Sequence, residues 1–389
     1  MENKERALAH VEKIEWIRPI EGADNIELIG VLGWVCIAKK GEFNVGDMAV
    51  YIEIDSKCPE TDERFAFLAN KKFKVKTMKL GKFKVISQGL ALPLSLFPEL
   101  QDKKIGDDVT EALKITYASE EDATRKTNKI DPNAKYKSMA KRRPKLFANP
   151  IVRRIMRYSI GRKIMFMLFG RKKDNPKKFP DWIVKTDETR IENAPFYLQS
   201  TEKWIKTEKC DGTSCTFAVD RLKKDKNKFD FIVCSRNVRQ ADREQACYHE
   251  SNIYWELADK YDIEKILTQF ATENNYNRVV LQGEGVGSVQ SNPYKFTENK
   301  LFVFNLIIDG IRLGTVEMAD FCKSHGLTSV PIIDTAYELP KTMEEMKLEA
   351  DGYSELNPKV KREGFVYRSI DGQQSFKNVS REYLLKHNG

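Results

Sequence analysis

Histidine is scarce, with four among 389 residues, and the seven cysteines are scattered without a C-x-x-C pair. Neither a structural zinc site nor a disulfide framework is expected from that distribution, and a reducing compartment is the natural setting. Long apolar runs are also missing. The densest, residues 164–169, is far shorter than the roughly 20 residues a membrane-crossing helix needs. Residues 1–13 alternate charge with small apolar groups and lack the apolar stretch of a secretory leader. An intracellular protein, cytoplasmic or nuclear, with no signal peptide and no membrane span is therefore expected.

What is present suffices for folding. Hydrophobic residues make up 41% and aromatics 10%, and a chain of this length exceeds one comfortable core, so two domains are expected. The net charge of +9 suggests a polyanionic partner, but its placement is uneven. Residues 123–178 hold nineteen Lys or Arg and two acids, a net +17, which leaves −8 for the remainder. Within this stretch lie the clusters Lys141-Arg142-Arg143 and Arg171-Lys172-Lys173. Residues 151–169 intersperse Ile, Val, Met and Phe with Arg at near-helical spacing, which predicts a basic amphipathic helix. A solvated tether and a contact to phosphate backbone are both open readings of it.

On either side the patterns differ. Before the tether, 26–38, 48–54 and 73–78 read as strands rich in Val, Ile and aromatics, with turn signals at Lys40-Gly41, Gly46-Asp47 and Gly81. A small barrel closes such strands without exposed edges. After it, strands at 216–219, 229–234, 279–282 and 301–308 alternate with helical stretches at 253–272 and 345–350, an α+β pattern. The division is 1–115 barrel, 116–180 basic linker, 181–389 mixed domain.

The chemistry concentrates in the last of these. Lys209-Cys210-Asp211-Gly212 follows the run Trp204 to Glu208 and precedes another strand. In order along the chain come Ser235-Arg236-Asn237, Gln282-Gly283-Glu284, Leu301-Phe302-Val303-Phe304, Glu363-Gly364-Phe365-Val366-Tyr367-Arg368 and Ser375-Phe376-Lys377. A lysine amine has a reference pKa of about 10.4 and is a poor nucleophile at neutral pH unless nearby positive charge favours its neutral form. Asp211, Glu284 and Glu363 are oxygen donors suited to Mg²⁺ or Mn²⁺. Arg236 and Lys377 can neutralise phosphate. Phe304 reads equally as core or as a stacking face for a base.

This ordered set resembles the covalent nucleotidyltransferase superfamily of polynucleotide ligases and mRNA capping enzymes, and within it the ATP-dependent RNA ligases with an N-terminal OB-fold domain. The runs Ile17-Arg18-Pro19-Ile20-Glu21-Gly22-Ala23-Asp24-Asn25 and Ile86-Ser87-Gln88-Gly89-Leu90 look like that OB domain, and Lys185-Thr186-Asp187-Glu188-Thr189-Arg190 looks like the segment preceding the ligase lysine. The resemblance implies an OB-like barrel, a linker and an ATP-grasp-like nucleotidyltransferase domain of antiparallel sheets with helices. It also implies a lysine–AMP intermediate on Lys209, nucleotide contacts from Arg190, Glu208, Arg236, Glu284, Phe304, Glu363 and Lys377, and metal ligands Asp211, Glu284 and Glu363. ATP and Mg²⁺ or Mn²⁺ are the implied cofactors, RNA with 5′-phosphate and 3′-hydroxyl ends the partner, and a monomer the expected state. A DNA ligase or a GTP-using capping enzyme is the alternative, and a catalytically silent nucleic-acid-binding protein the alternative of another class. In DNA ligases and capping enzymes the OB domain follows the last motif, whereas 12 residues follow Lys377 here.

Three local features depart from the family pattern or extend it. The K-x-K of the last motif becomes Lys377-Asn378-Val379, with Lys386 as a distant substitute. Asp371-Gly372 marks a hairpin, and shared chemistry between Glu363 and Lys377 predicts an odd-length loop over 370–372, with Lys377 opposite Phe365. Thr186-Asp187-Glu188 reads either as the cap of a short helix, with Arg190 on its surface, or as a substrate contact.

The segregated charge carries a prediction. Replacing Arg171, Lys172 and Lys173 with Ala should weaken RNA binding and flatten its log–log salt dependence by about 0.7 per lost phosphate contact, while adenylylation of Lys209 persists. Filter binding across a salt series, beside an ATP-labelling assay, checks it. Equal loss of both activities would contradict it.

Overall fold

The computed structural model describes residues 7–118, 136, 143–169, 177–240, 252–287 and 292–387. Lys141, Arg142 and the cluster Arg171-Lys172-Lys173 lie outside the described residues. All six cysteines described are buried and free, as their scatter suggested. No helix among the described residues is long and apolar enough to cross a membrane.

The N-terminal part is built from short antiparallel strands. Ala9–Lys13 pairs with Met48–Ile52, which pairs with Leu90–Pro93. Trp16–Pro19, Ile26–Val31 and Trp34–Lys39 form a second meander. Alternation sends Val11, Val50, Ile52 and Leu92 into one core with Phe65 and Phe97, and Ile29, Trp34 and Tyr51 into another. The expected strand at 73–78 forms only as Met78–Leu80, since Lys72 and Phe73 both take positive φ after a short helix (Glu63–Lys71) and turn the chain there.

The basic segment is helical but interrupted. Pro150–Met156 and Ser159–Phe169 replace the single helix predicted, broken at Arg157-Tyr158. They bury Met165 beside Tyr136 and leave Ile151, Ile160, Met167 and Leu168 exposed.

The C-terminal part holds two sheets. The larger runs Lys177–Lys178, Val238–Arg239, Asp225–Cys234, Thr213–Leu222, Arg278–Val286, Lys300–Ile308, Ile311–Arg312, with Thr328–Ser329 also on Lys300–Ile308. Helices Ile253–Lys260, Ile263–Glu273 and Thr315–Ser324 cover one face through Leu257, Leu267 and Phe321 against Phe217, Leu281 and Val303. The helix predicted over 253–272 is therefore two, divided where Asp262 adopts a left-handed conformation. The smaller sheet runs Thr189–Arg190, Ser375–Val379, Gly364–Ser369, Trp204–Glu208, Ile332–Tyr337, with Tyr367 and Phe376 stacked at 5.0 Å. Both sheets are mainly antiparallel, as expected, yet Thr189–Arg190 and Thr328–Ser329 pair in parallel.

The hairpin loop differs from expectation. Lys377 lies opposite Val366, and Ser369 N–H closes the turn on the Gln374 carbonyl around four residues. The odd-length loop over 370–372 is thus incorrect. Its premise was strand alternation from Glu363 onward, but Gly364 takes φ 150° at the strand's first residue, so Glu363 stands outside the pleat and is aimed independently of it.

The two parts are clasped by polar groups. The Leu32-Gly33 turn presses on Glu192, where Gly33 N–H donates to the Glu192 carbonyl at 2.8 Å and a Cβ on Gly33 would stand 2.7 Å from the Glu192 Cα. Trp34 Nε1 donates to Asn193 at 2.5 Å and Arg190 pairs with Asp55 at 3.0 Å. Buried Lys347 meets Glu192 at 2.6 Å and donates to the Val379 carbonyl at 2.8 Å. Val379 and Leu384 join the core around Trp34 and Tyr51. Behind this seam, His10 lies between Glu12 at 2.9 Å and Glu53 at 3.6 Å. Burial opposes its charge, but hydrogen bonds and attraction from the two glutamates outweigh that and raise it to about 9.

A folded-state pKa above the unfolded 6.5 means that His10 stabilises fully below about pH 6.5 and progressively less as pH rises through about 9. Urea denaturation should therefore show wild-type stability falling across that window by up to about 3 kcal/mol more than in His10→Gln. Parallel curves for the two proteins would contradict the charged histidine.

Candidate active site

Lys209-Cys210-Asp211-Gly212 is the crossing between the sheets: Trp204–Glu208 ends in the smaller and Thr213–Leu222 begins in the larger. The crossing is tightly held. Lys209 N–H donates to the Gly364 carbonyl at 3.0 Å, and Asp211 N–H donates to the Tyr294 hydroxyl at 2.7 Å. A Cβ on Gly212 would stand 2.4 Å from the Gly285 carbonyl oxygen, so the strand entry needs glycine. Cys210 is buried in a small cluster with Val286, Tyr294 and Phe302 and is structural.

Around the lysine, Glu363 approaches from the smaller sheet and Glu284 from the larger, where it pairs across from Ser214. Lys209 Nζ lies 2.8 Å from Glu363 Oε1. Burial opposes the ammonium, yet attraction from Glu363, Glu284 and Asp211 outweighs it and holds the lysine firmly protonated. Glu284 is pushed up to about 8, first by burial and then by the repulsion of Glu363 and Asp211, against the pull of Lys209. Tyr383, from the C-terminal helix Arg381–His387, hydrogen-bonds Asp211.

An all-carboxylate donor set suits a hard divalent cation. Among the described residues no three His, Cys, Asp or Glu side chains are gathered as a metal cage, and the positive charge these carboxylates now face is the Lys209 ammonium. The set fits such an ion in donor chemistry, with the lysine displaced from its pairing.

Away from the amine the site is cationic. Asp187 Oδ1 accepts from Lys377 Nζ at 2.7 Å, and its Oδ2 from Arg236 at 3.3 Å. Glu188 is held by Arg368 at 3.2 Å and Arg312 at 3.7 Å and hydrogen-bonds Ser375. Burial opposes its charge, but Arg368, Ser375 and Arg312 hold Glu188 below the usual carboxylate range.

The remaining expected residues are dispersed. Glu208 is buried and accepts from Ser354 Oγ at 2.5 Å and Glu355 N–H at 2.7 Å, a structural brace one residue from Lys209. Arg190 is buried at the seam with Asp55, not on a helix surface, and the short helix Ile191–Asn193 has no side-chain cap. Phe304 is the extra residue of a bulge, because Gln282 pairs with Asn305 and Gly283 with Val303. Bulges re-aim side chains next to sites, and here Arg368 also fixes the Phe304 carbonyl at 2.8 Å. Lys386 is exposed on the terminal helix. Sequence reasoning missed Tyr294 and Tyr383, which carry no local signal, and the bridging role of Asp187. It quoted Arg368 without seeing that it locks two elements.

A barrel joined to two sheets, with a lysine at their crossing and acids converging on it, is the architecture of a covalent nucleotidyltransferase with an OB-fold module. An OB-fold domain family matches residues 8–94 and the RNA ligase family matches residues 202–386. A Naegleria gruberi RNA ligase solved with PPi is similar at TM-score 0.75 and 31% identity, over 98% of this chain and 99% of that one. A lysine-to-alanine variant of that ligase, solved with ATP and Mn, gives 0.74 and 30% over 98% and 99%, and a glutamate-to-alanine variant with AMP and Mn gives 0.74 and 30% over the same shares. No curated protein sequence matches significantly. The chain belongs to the RNA ligase family.

The crowding of acids gives a test in the metal-free protein. An acid raised from 4.5 to about 8 keeps its proton in the folded protein while the unfolded chain loses it, so its cost to stability grows from about pH 4.5 and is complete above about pH 8. Glu284→Gln should thus leave unfolding free energy nearly unchanged below about pH 4.5 and raise it progressively above that, with the full gain by pH 9. No gain at pH 9 would contradict the raised acid.

Proposed function

We propose that this RNA ligase uses ATP and Mg²⁺ or Mn²⁺ to join RNA 5′-phosphate and 3′-hydroxyl ends through a lysine–AMP intermediate on Lys209. The observation that carries the reading is the Lys209 amine at the sheet crossing, 2.8 Å from Glu363 and under the fields of Glu284 and Asp211. The solved variants of the Naegleria ligase add support. That ligase was solved as variants of a lysine and an aspartate two positions apart, and of a glutamate and a lysine fourteen positions apart. Lys209 and Asp211, and Glu363 and Lys377, have those same spacings here.

The sequence of steps follows from the residues. Lys209 Nζ, after losing a proton, attacks the α-phosphorus of ATP; the N–P bond forms as the bond to pyrophosphate breaks. A 5′-phosphate oxygen of RNA then takes the AMP from the lysine, and a 3′-hydroxyl displaces AMP with loss of its proton to seal the strand. Arg236 and Lys377 neutralise phosphate charge, Phe304 offers a face to the base, and Asp211, Glu284 and Glu363 would hold the divalent ion. When bound, that ion supplies the positive charge that favours a neutral Lys209 amine and offsets charge on the phosphates. The work of the protein is positioning and charge compensation.

Residues 1–115 would hold RNA beside the break through the concave strand face of the OB fold, the basic residues 116–180 would guide it, and residues 181–389 would carry the chemistry in an intracellular monomer. Arg190 and Glu208 contribute indirectly, Arg190 by fixing the preceding segment on the OB domain and Glu208 by bracing the strand beside Lys209.

Incubation with α-labelled ATP should give a protein–AMP adduct in the wild type and none in Lys209→Ala; a surviving adduct would refute the assignment. Nicked RNA should then be sealed. Labelling by GTP instead, or sealing of DNA alone, would move the protein to capping or DNA joining.

A further inference from the structure

We infer that Asp187 is a built-in competitor for the phosphate-binding cations, a carboxylate that pairs with Arg236 and Lys377 and speeds the departure of pyrophosphate. The inference rests on the proposed reading that Arg236 and Lys377 contact phosphate.

The geometry is that of a bidentate anion. One oxygen of Asp187 is 2.7 Å from Lys377 Nζ and the other 3.3 Å from an Arg236 nitrogen. The two cations come from different sheets, Lys377 from Ser375–Val379 and Arg236 from the turn between Asp225–Cys234 and Val238–Arg239. Asp187 therefore bridges the cleft, as two oxygens of a phosphate would. Arg236 is half exposed and can swing to a ligand, whereas Lys377 is nearly buried.

Asp187 cannot drift away when a phosphate arrives. The next residue, Glu188, is anchored by Arg368, Arg312 and Ser375. Thr189–Arg190 then lies in parallel register with Phe376 and Lys377, and Arg190 is tied to Asp55 of the OB domain. The carboxylate is thus fixed beside its cations by contacts it does not itself make. A triphosphate must take Arg236 and Lys377 from Asp187, and so binds more weakly than those cations alone would allow. Once the α–β bond is broken, the same carboxylate re-pairs with the cations and repels the departing polyanion. Asp187 lowers affinity for free pyrophosphate and disfavours reversal of lysine adenylylation.

The test uses full-length protein carrying labelled AMP on Lys209, discharged by added pyrophosphate in single turnover. In Asp187→Asn the half-saturating pyrophosphate concentration should fall roughly five- to tenfold, the size of a partly screened ion pair, and Asp187→Glu should stay near wild type. A merely structural aspartate would give the opposite sign, with weaker pyrophosphate binding in Asp187→Asn. Lys377→Ala separates the two levels. If it leaves pyrophosphate dependence unchanged, the phosphate-site reading fails and the inference with it. If it weakens pyrophosphate while Asp187→Asn leaves it unchanged or weaker, the competitor role alone is overturned.

Discussion

The ion pair between Lys209 and Glu363, set within the fields of Glu284 and Asp211, governs the site. Three acids around one amine keep that amine charged, which is the wrong state for a nucleophile. The same acids are the right donors for a hard divalent ion. Under the proposed reading, nucleophilicity is tied to cation loading: the lysine would be masked by its neighbours until another positive charge relieves them. Glu284, raised to about 8, shows how near the cluster stands to its tolerance for negative charge.

That cluster exists because of where the chain crosses between sheets. Lys209 and Asp211 lie on the link, Glu284 on one sheet and Glu363 just before a strand of the other, so any change in the approach of the sheets changes the charge balance. Residues 187–190 tie the same sheets to the OB domain: Asp187 reaches the cation pair, Glu188 the Arg368 and Arg312 guanidinium groups, and Arg190 reaches Asp55. The terminal helix adds a second tie, with Leu384 in the core around Trp34 and Tyr383 on Asp211. The barrel and the surroundings of Lys209 are therefore joined through two short segments.

Much of this was legible in the sequence for specific physical reasons. Lys209, Glu284 and Glu363 stand beside glycines or strand ends, where backbones approach closely and side chains converge, so their order along the chain carried spatial information. Strands with strong alternation, such as 216–219 and 301–308, were found where they form. Helix breaks were not, because Asp262 and the Arg157-Tyr158 interruption are exposed positions and interrupt no apolar pattern. The hairpin register was misread because one glycine, Gly364, ends the alternation on which the parity argument relied. Arg190 and Asp187 look alike in sequence as charged residues of one loop, and only contacts distant along the chain, to Asp55 and to Lys377, give them different roles.

The most direct measurement is peptide mapping by mass spectrometry of protein exposed to ATP with and without Mg²⁺ or Mn²⁺. The account predicts AMP on the peptide containing Lys209, and only when the divalent ion is present. AMP on another residue, or equal modification of Lys209 in chelator, would contradict it.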